Sequence, residues 1–181
     1  MNVIINLSLK VLRLLPPEVS SNLSLKINKL FFLIFRTSVV KNYQEKTKNK
    51  NFSFLDLNFP SRIGLGAGLD KEGKYVESLG NLGFGFIEVG TFTPLPQNGN
   101  EYPRIKRLKS MNSLINRLGF NNPGIDVGLE NLKRNRGNFN GIVGVSIGKN
   151  RDTSLESAHL DYIYCLQKAY LIADYIALNI S

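Results

Sequence analysis

Three segments of this chain, Gly85-Phe-Ile-Glu-Val-Gly-Thr91, Gly141-Ile-Val-Gly-Val-Ser-Ile-Gly148 and Tyr175-Ile-Ala-Leu-Asn-Ile-Ser181, are near-continuous apolar runs that end in polar residues. Strands that read this way have no solvated face and are covered on both sides, as in parallel sheets. The pattern predicts a strand near Ile63, a helix over 73–82, a strand over 84–91 and a helix over 125–135. It continues with a strand over 142–147, a helix over 155–172 and a strand over 175–180. Strict alternation of strand and helix argues a parallel sheet with crossover helices. Four strands and three helices make half of an eight-stranded (β/α)8 barrel, and the last strand has no helix after it. In such a barrel the carboxyl ends of the strands build the site, and here they supply Lys71, Thr91, Ser146, Lys149, Asn150 and Asn179.

The first of those ends is the loop Ile63-Gly-Leu-Gly-Ala-Gly-Leu-Asp-Lys71. Three residues without β-carbons in five positions let a backbone lie flat against something planar or anionic, and the lysine delivers a point charge to it. An ordinary tight turn with a solvated lysine reads the same way. The spacing matches neither G-x-G-x-x-G opening a helix nor G-x-x-x-x-G-K-[ST], which excludes the familiar nucleotide loops.

A single cysteine, Cys165, and a single histidine, His159, exclude a disulfide framework and a Cys/His zinc site. The net charge of +9 is lopsided. Residues 1–50 hold nine Lys/Arg against Glu18 and Glu45, so that quarter carries +7. The excess coincides with two apolar runs, 3–15 and 23–40, broken by Pro16-Pro17 and interrupted by Lys10, Arg13, Lys26, Lys29 and Arg36. Those cations argue against a spanning helix. Leu23, Ile27, Leu30, Phe31, Ile34 and Phe35 recur at helical spacing. The stripe suits an anionic membrane surface, or equally packing on the chain's own core. No cleavage site follows a short apolar stretch, and no interleaved basic-aromatic motif points to nucleic acid. The polar run 41–51 reads as a linker, dividing an amphipathic module (1–45) from the main body (46–181).

A second polar cluster is Ile115-Asn-Arg-Leu-Gly-Phe-Asn-Asn122. Clustered amides suit a small planar ligand; an Asx-rich turn capping the helix after Pro123 is the other reading. Arg104, Arg107 and Arg117 are candidate anion contacts.

Together, Gly64 to Lys71, Gly83 to Gln97, Ile115 to Asn122, Gly148 to Thr153 and Ala177 to Ser181 resemble, in order and spacing, the successive motifs of class 2 dihydroorotate dehydrogenases. The resemblance covers essentially the whole chain. It implies an FMN-dependent (β/α)8 TIM barrel, here its first four β/α units, preceded by a two-helix amino-terminal module that docks on membrane and quinone. The implied reaction oxidises dihydroorotate to orotate in pyrimidine synthesis and passes the electrons to membrane quinone. It also implies a peripheral protein on the cytoplasmic face of a bacterial inner membrane, or on the mitochondrial inner membrane. Cofactor contacts carried over by resemblance are Ala67, Gly68, Leu69, Asp70, Lys71, Thr91, Ser146 and Asn179. Substrate contacts are Lys71, Asn116, Arg117, Leu118, Gly119, Phe120 and Asn179. Two departures stand out. Ser146 replaces the family's flavin-contacting asparagine, and the family's catalytic serine falls after Ser181, so no catalytic base is assigned. Cys165 sits in a helical pattern and is expected in the core. The expectation from the half barrel is a chain inactive alone; a non-enzymatic, membrane-associated interaction module is the competing reading.

Overall fold

A computed structural model describes residues 10–47 and 51–180, with side chains over 10–34 and 51–180. A helical turn at residues 10–14 leads across Pro16 into α1 (Pro17–Thr47). The hairpin β1 (Phe52–Phe54) and β2 (Leu57–Phe59) follows, then β3 (Gly64–Leu65), α2 (Val76–Gly80) and β4 (Phe86–Phe92). A second antiparallel hairpin, β5 (Ile105–Leu108) and β6 (Ser113–Asn116), precedes α3 (Ile125–Asn135), β7 (Ile142–Ile147), α4 (Ala158–Ala169) and β8 (Tyr175–Leu178).

The strands order as β3-β4-β7-β8, every pair parallel, so the α/β alternation read from the sequence is the architecture. Ile87 and Val89 of β4 and Val143, Val145 and Ile147 of β7 are completely buried. On the other face of β7, Gly144 and Ser146 are buried too, which accounts for a strand with no polar side. On α3, Ile125, Leu129 and Leu132 recur at helical spacing and face the sheet. Gly128 lets the helix approach closely, since a β-carbon there would sit 2.4 Å from the Phe92 ring. Cys165 lies in this core, and burial pushes its thiol up to about 12, that of an inert residue.

Both α3 and β7 have the expected bounds. α2 is shorter than expected because the Asp70 carboxylate accepts the backbone N–H groups of Lys74 (3.0 Å) and Tyr75 (2.8 Å), closing a turn where a helix start was expected. Neither hairpin was foreseen. The polar run assigned to a linker is helical through Thr47, in keeping with its Lys, Gln and Glu content; residues 48–50 lie outside the described residues, as do 1–9 and Ser181.

α1 packs through Leu25 and Phe32, both buried, while Lys29 reaches Lys74 O at 3.0 Å and Asn135 Oδ1 at 2.6 Å. The stripe named from the sequence faces away: Leu23, Ile27, Leu30, Phe31 and Ile34 are all exposed. The side chain of Phe35 lies outside those described. Among the described residues, no helix is long and apolar enough to cross a membrane.

The β1–β2 turn places two non-glycine residues in the left-handed region, Leu55 (φ 46°) and Asp56 (φ 61°). Leucine is poorly suited to it, and Leu55 is 77% exposed, so its side chain returns little packing. Leu55→Asn is expected to raise stability by about 1 kcal/mol, read as a later urea midpoint at unchanged slope. An unchanged or earlier midpoint contradicts that.

Candidate active site

The glycine loop after β3 is stitched to the end of β4 by two backbone bonds, Gly68 N–H to Gly90 O (2.9 Å) and Gly90 N–H to Asp70 O (3.1 Å). Beside them a cavity of about 610 Å³ opens at the carboxyl ends of the strands. Ala67, Gly68 and Lys71 of the glycine loop, Gly90 and Thr91 of β4 and Asn179 after β8 line it. Asn116, Arg117, Leu118, Gly119 and Phe120, at and after the end of β6, supply a further stretch of its wall. A β-carbon added at Gly66 or Gly68 would meet nothing within 4 Å, so the loop borders open space wide enough for a flat group. The structure therefore brings together Ala67, Gly68, Lys71, Thr91, Asn179 and all five of the 116–120 residues named from the sequence.

Three named residues stand off the cavity lining. Leu69 is at the protein surface, and Asp70 is 1% exposed and turned toward the 74–75 amides. Burial raises the Asp70 pKa, and the backbone N–H groups pull it back down. Ser146 is buried behind Thr91, the two hydroxyl oxygens 2.9 Å apart. Thr91 also accepts the Asn179 side-chain amide at 3.0 Å. The register of β4 on β7 shifts between Val89 and Phe92, and this bulge places Thr91 at the centre of the polar cluster. Lys149 and Asn150 do not reach the cavity either. Lys149 Nζ donates to carbonyls of its own loop, and Asn150 exchanges hydrogen bonds with Leu95.

One lining residue, Asn100, escaped the sequence reading, and Asn121, part of the amide cluster but not named as a ligand contact, lines the cavity as well. The Asn121-Asn122 pair divides between the two readings it allowed. Asn122 is the turn residue, its Oδ1 accepting Gly124 N–H at 2.9 Å and Thr93 N–H at 3.2 Å. Asn121 Oδ1 is buried without a hydrogen-bond partner among the described residues, an acceptor available to a ligand N–H.

Lys71 is the charge of the site. Among the described residues its ammonium has no hydrogen-bond or ion-pair partner. Burial lowers its pKa, with Glu18 opposing that shift and Arg104 adding to it. Arg104 and Arg107 are not anion contacts. Arg104 is 6% exposed and bound to Glu18, Asn98 O and Tyr102. Arg107 donates to the carbonyls of Arg13 (3.1 Å) and Leu15 (2.6 Å). Arg117 alone of the three lines the cavity, with a long 3.4 Å contact to Pro103 O. Among the described residues no His, Cys, Asp and Glu group is arranged to hold a metal ion.

Residues 50–181 match the family model for dihydroorotate dehydrogenase. The chain belongs to the dihydroorotate dehydrogenase family. Curated proteins similar to it include quinone-type members of that family. It is 47% identical over 173 residues to the dihydroorotate dehydrogenase (quinone) of Buchnera aphidicola subsp. Schizaphis graminum, covering 95% of this chain and 50% of that protein. To the protein of the same name from Yersinia enterocolitica it is 50% identical over 137 residues, or 76% of this chain and 40% of the relative. Among solved structures, the Eimeria tenella dihydroorotate dehydrogenase in complex with ferulenol superposes with a TM-score of 0.67 at 38% identity. That alignment covers 72% of this chain and 36% of the other. The chain thus spans about half the length of the curated relatives it matches.

Proposed function

We propose that this chain carries the substrate- and flavin-facing wall of an FMN-dependent, quinone-linked dihydroorotate dehydrogenase. On this reading its four parallel strands are the first four of a (β/α)8 barrel. The observation that supports it is a lysine with no hydrogen-bond or ion-pair partner among the described residues, sharing one cavity with a glycine-rich backbone and the amides of Asn116, Asn121 and Asn179. A planar ring with a carboxylate and alternating N–H and C=O groups is complementary to that set, and analogues lacking those groups leave buried polar atoms unpaired.

The residues that would hold FMN are the Ala67-Gly68 backbone, Lys71, Thr91 and Asn179, with Ser146 acting through Thr91 and Asp70 holding the loop in shape. FMN, when bound, supplies a hydride acceptor. The chain's part is electrostatic and orienting. Lys71 neutralises the substrate carboxylate and the negative charge that develops beside it. Asn116 and Asn179 fix the ring by its amide edges, Asn121 Oδ1 takes a further N–H, and Leu118 with Phe120 exclude water. Titrating FMN into the chain by fluorescence, then adding orotate, tests the assignment. Saturable binding and an orotate-dependent change in the flavin spectrum are expected; a chain that binds neither overturns it.

Electron transfer to a membrane quinone requires the protein to sit at a bilayer. The outward stripe of α1, beside exposed Lys10, Arg13 and Lys26, supports peripheral docking on anionic lipid. Burying Leu30 and Ile34 in lipid contributes about 1.5–3 kcal/mol each. Leu30→Glu with Ile34→Glu is therefore expected to lower co-sedimentation with anionic vesicles by at least about tenfold at an unchanged circular dichroism spectrum. Undiminished pelleting of the double variant refutes the docking face.

A further inference from the structure

Glu18, one of two acidic residues in the amino-terminal quarter, and Arg104, read from the sequence as a candidate anion contact, are 86 residues apart and form a largely buried pair. Arg104 Nε and Nη2 lie 2.9 and 2.7 Å from Glu18 Oε1, and Nε lies 3.1 Å from Oε2. The side chains are only 5% and 16% exposed. Such a pair is weak evidence for stability, because desolvation offsets the attraction. What it does locally is more specific.

The remaining donors of the same guanidinium are aimed at the Asn98–Asn100 turn: Nη1 donates to Asn98 O at 2.6 Å and to Asn100 O at 3.3 Å. Tyr102 lies under the guanidinium at 4.4 Å and receives an Nη2 hydrogen bond at 2.9 Å, so the group is held in one orientation. That turn supports the 116–120 wall of the cavity. Asn100 N–H donates to Leu118 O at 3.0 Å, Asn100 Nδ2 to Arg117 O at 2.7 Å, and Gln97 Nε2 to Gly119 O at 3.1 Å. Arg117 N–H closes the circuit on Arg104 O at 2.8 Å. The fit is tight, since a β-carbon at Gly99 would lie 2.2 Å from Leu118 O and one at Gly119 2.8 Å from Asn100 Cγ. From α1 to the cavity each group is thus hydrogen-bonded to the next.

We infer that Glu18, on the first turn of α1, is a positioning residue: acting through Arg104, it holds the Asn98–Asn100 turn and with it the 117–119 wall of the cavity. The Glu18 carboxylate also acts to raise the Lys71 pKa against the burial that lowers it. The consequence for ligand binding rests on the function proposed above; the mechanical coupling does not.

Amide hydrogen exchange on the whole chain decides the coupling without any ligand. In Glu18→Gln the amides of Gln97, Asn100, Arg117 and Asn122 are expected to exchange about tenfold faster, while Val89 and Val145 in the sheet keep their rates. Unchanged rates at the turn overturn the inference, and so does equal acceleration of turn and sheet, which would make the pair a general brace. Should Glu18→Gln fail to fold, Glu18→Met with Arg104→Met removes both charges together. A native sheet with a still-loosened turn supports the inference, and a turn restored to parental rates overturns it. A second arm measures affinities: Glu18→Gln is expected to weaken orotate about tenfold and to leave FMN unchanged, a split that general destabilisation would not produce. If the parent chain binds no orotate, the functional assignment fails while the exchange result still judges the coupling.

Discussion

Lys71→Met is expected to weaken orotate binding to the FMN-loaded chain by roughly thirtyfold to a hundredfold, the worth of a charge-assisted hydrogen bond of about 2–3 kcal/mol. Methionine keeps an unbranched apolar side chain of similar length and removes the ammonium. Because that ammonium has no partner among the described residues, the substitution breaks no internal bond. At neutral pH the unfolding free energy should equal or exceed the parent's, because an ammonium whose pKa burial lowers costs stability while it is charged. The pH dependence gives a sharper check. Burial holds the Lys71 pKa below the ordinary lysine value, so the parent's affinity for the anion should fall as pH rises through that lowered pKa, before a solvated lysine would titrate. Stability moves the opposite way in the same window. There the unfolded chain still holds the proton that the folded chain has released, so Lys71 makes stability rise with pH. Lys71→Met should flatten both slopes. Orotate binding by the variant as tight as the parent's, at any pH, would remove Lys71 from the site.

How legible these features were depended on whether they are set by local pattern or by what packs against what. β4 and β7 showed as apolar runs because both faces of these parallel strands are covered, β8 showed as one although it is only half-buried with Leu178 exposed, and α3 showed because Ile125, Leu129 and Leu132 repeat at its own period. Lys71, Thr91, Asn116 and Asn179 meet because Lys71 and Asn179 follow β3 and β8, Thr91 lies at the carboxyl end of β4, and Asn116 ends β6. The two hairpins were hidden for different reasons. Phe52–Phe54 and Leu57–Phe59 are three residues each, too short to display alternation. Ile105–Leu108 reads Ile-Lys-Arg-Leu, with Arg107 used to grip the carbonyls of Arg13 and Leu15. On α1, periodicity identified a stripe but not its direction. The buried positions Leu25 and Phe32 are fixed by the surface they meet, which no pattern within the helix encodes. The same holds for Arg104, whose partner is on a different element, and for Ser146, which lies one hydroxyl away from the cavity rather than on it.

Gly90→Ala carries the largest expected loss of stability, about 3–5 kcal/mol, from backbone strain and overpacking together. Gly90 has a φ of +100°, a region that L side chains avoid. An added β-carbon would also lie 2.6 Å from Ser146 O and 2.8 Å from Phe92 N, both backbone atoms of paired strands that cannot swing aside. The strain cannot stay local, because Gly90 is bonded through its N–H to Asp70 and through its carbonyl to Gly68, on the loop that carries Lys71. Against a total of about 5–15 kcal/mol for a domain, such a loss leaves a marginal fold. Gly66→Ala is the matched control: the same added methyl on the glycine loop to which Gly90 is bonded, but open space within 4 Å and no positive φ. It is expected to be neutral or to stabilise by about 0.5 kcal/mol through the unfolded chain. Urea titration of the two variants reads the difference directly. Equal midpoints would mean that the β4 bulge is not pinned between β7 and the glycine loop, and that Thr91 is not held where the cavity needs it.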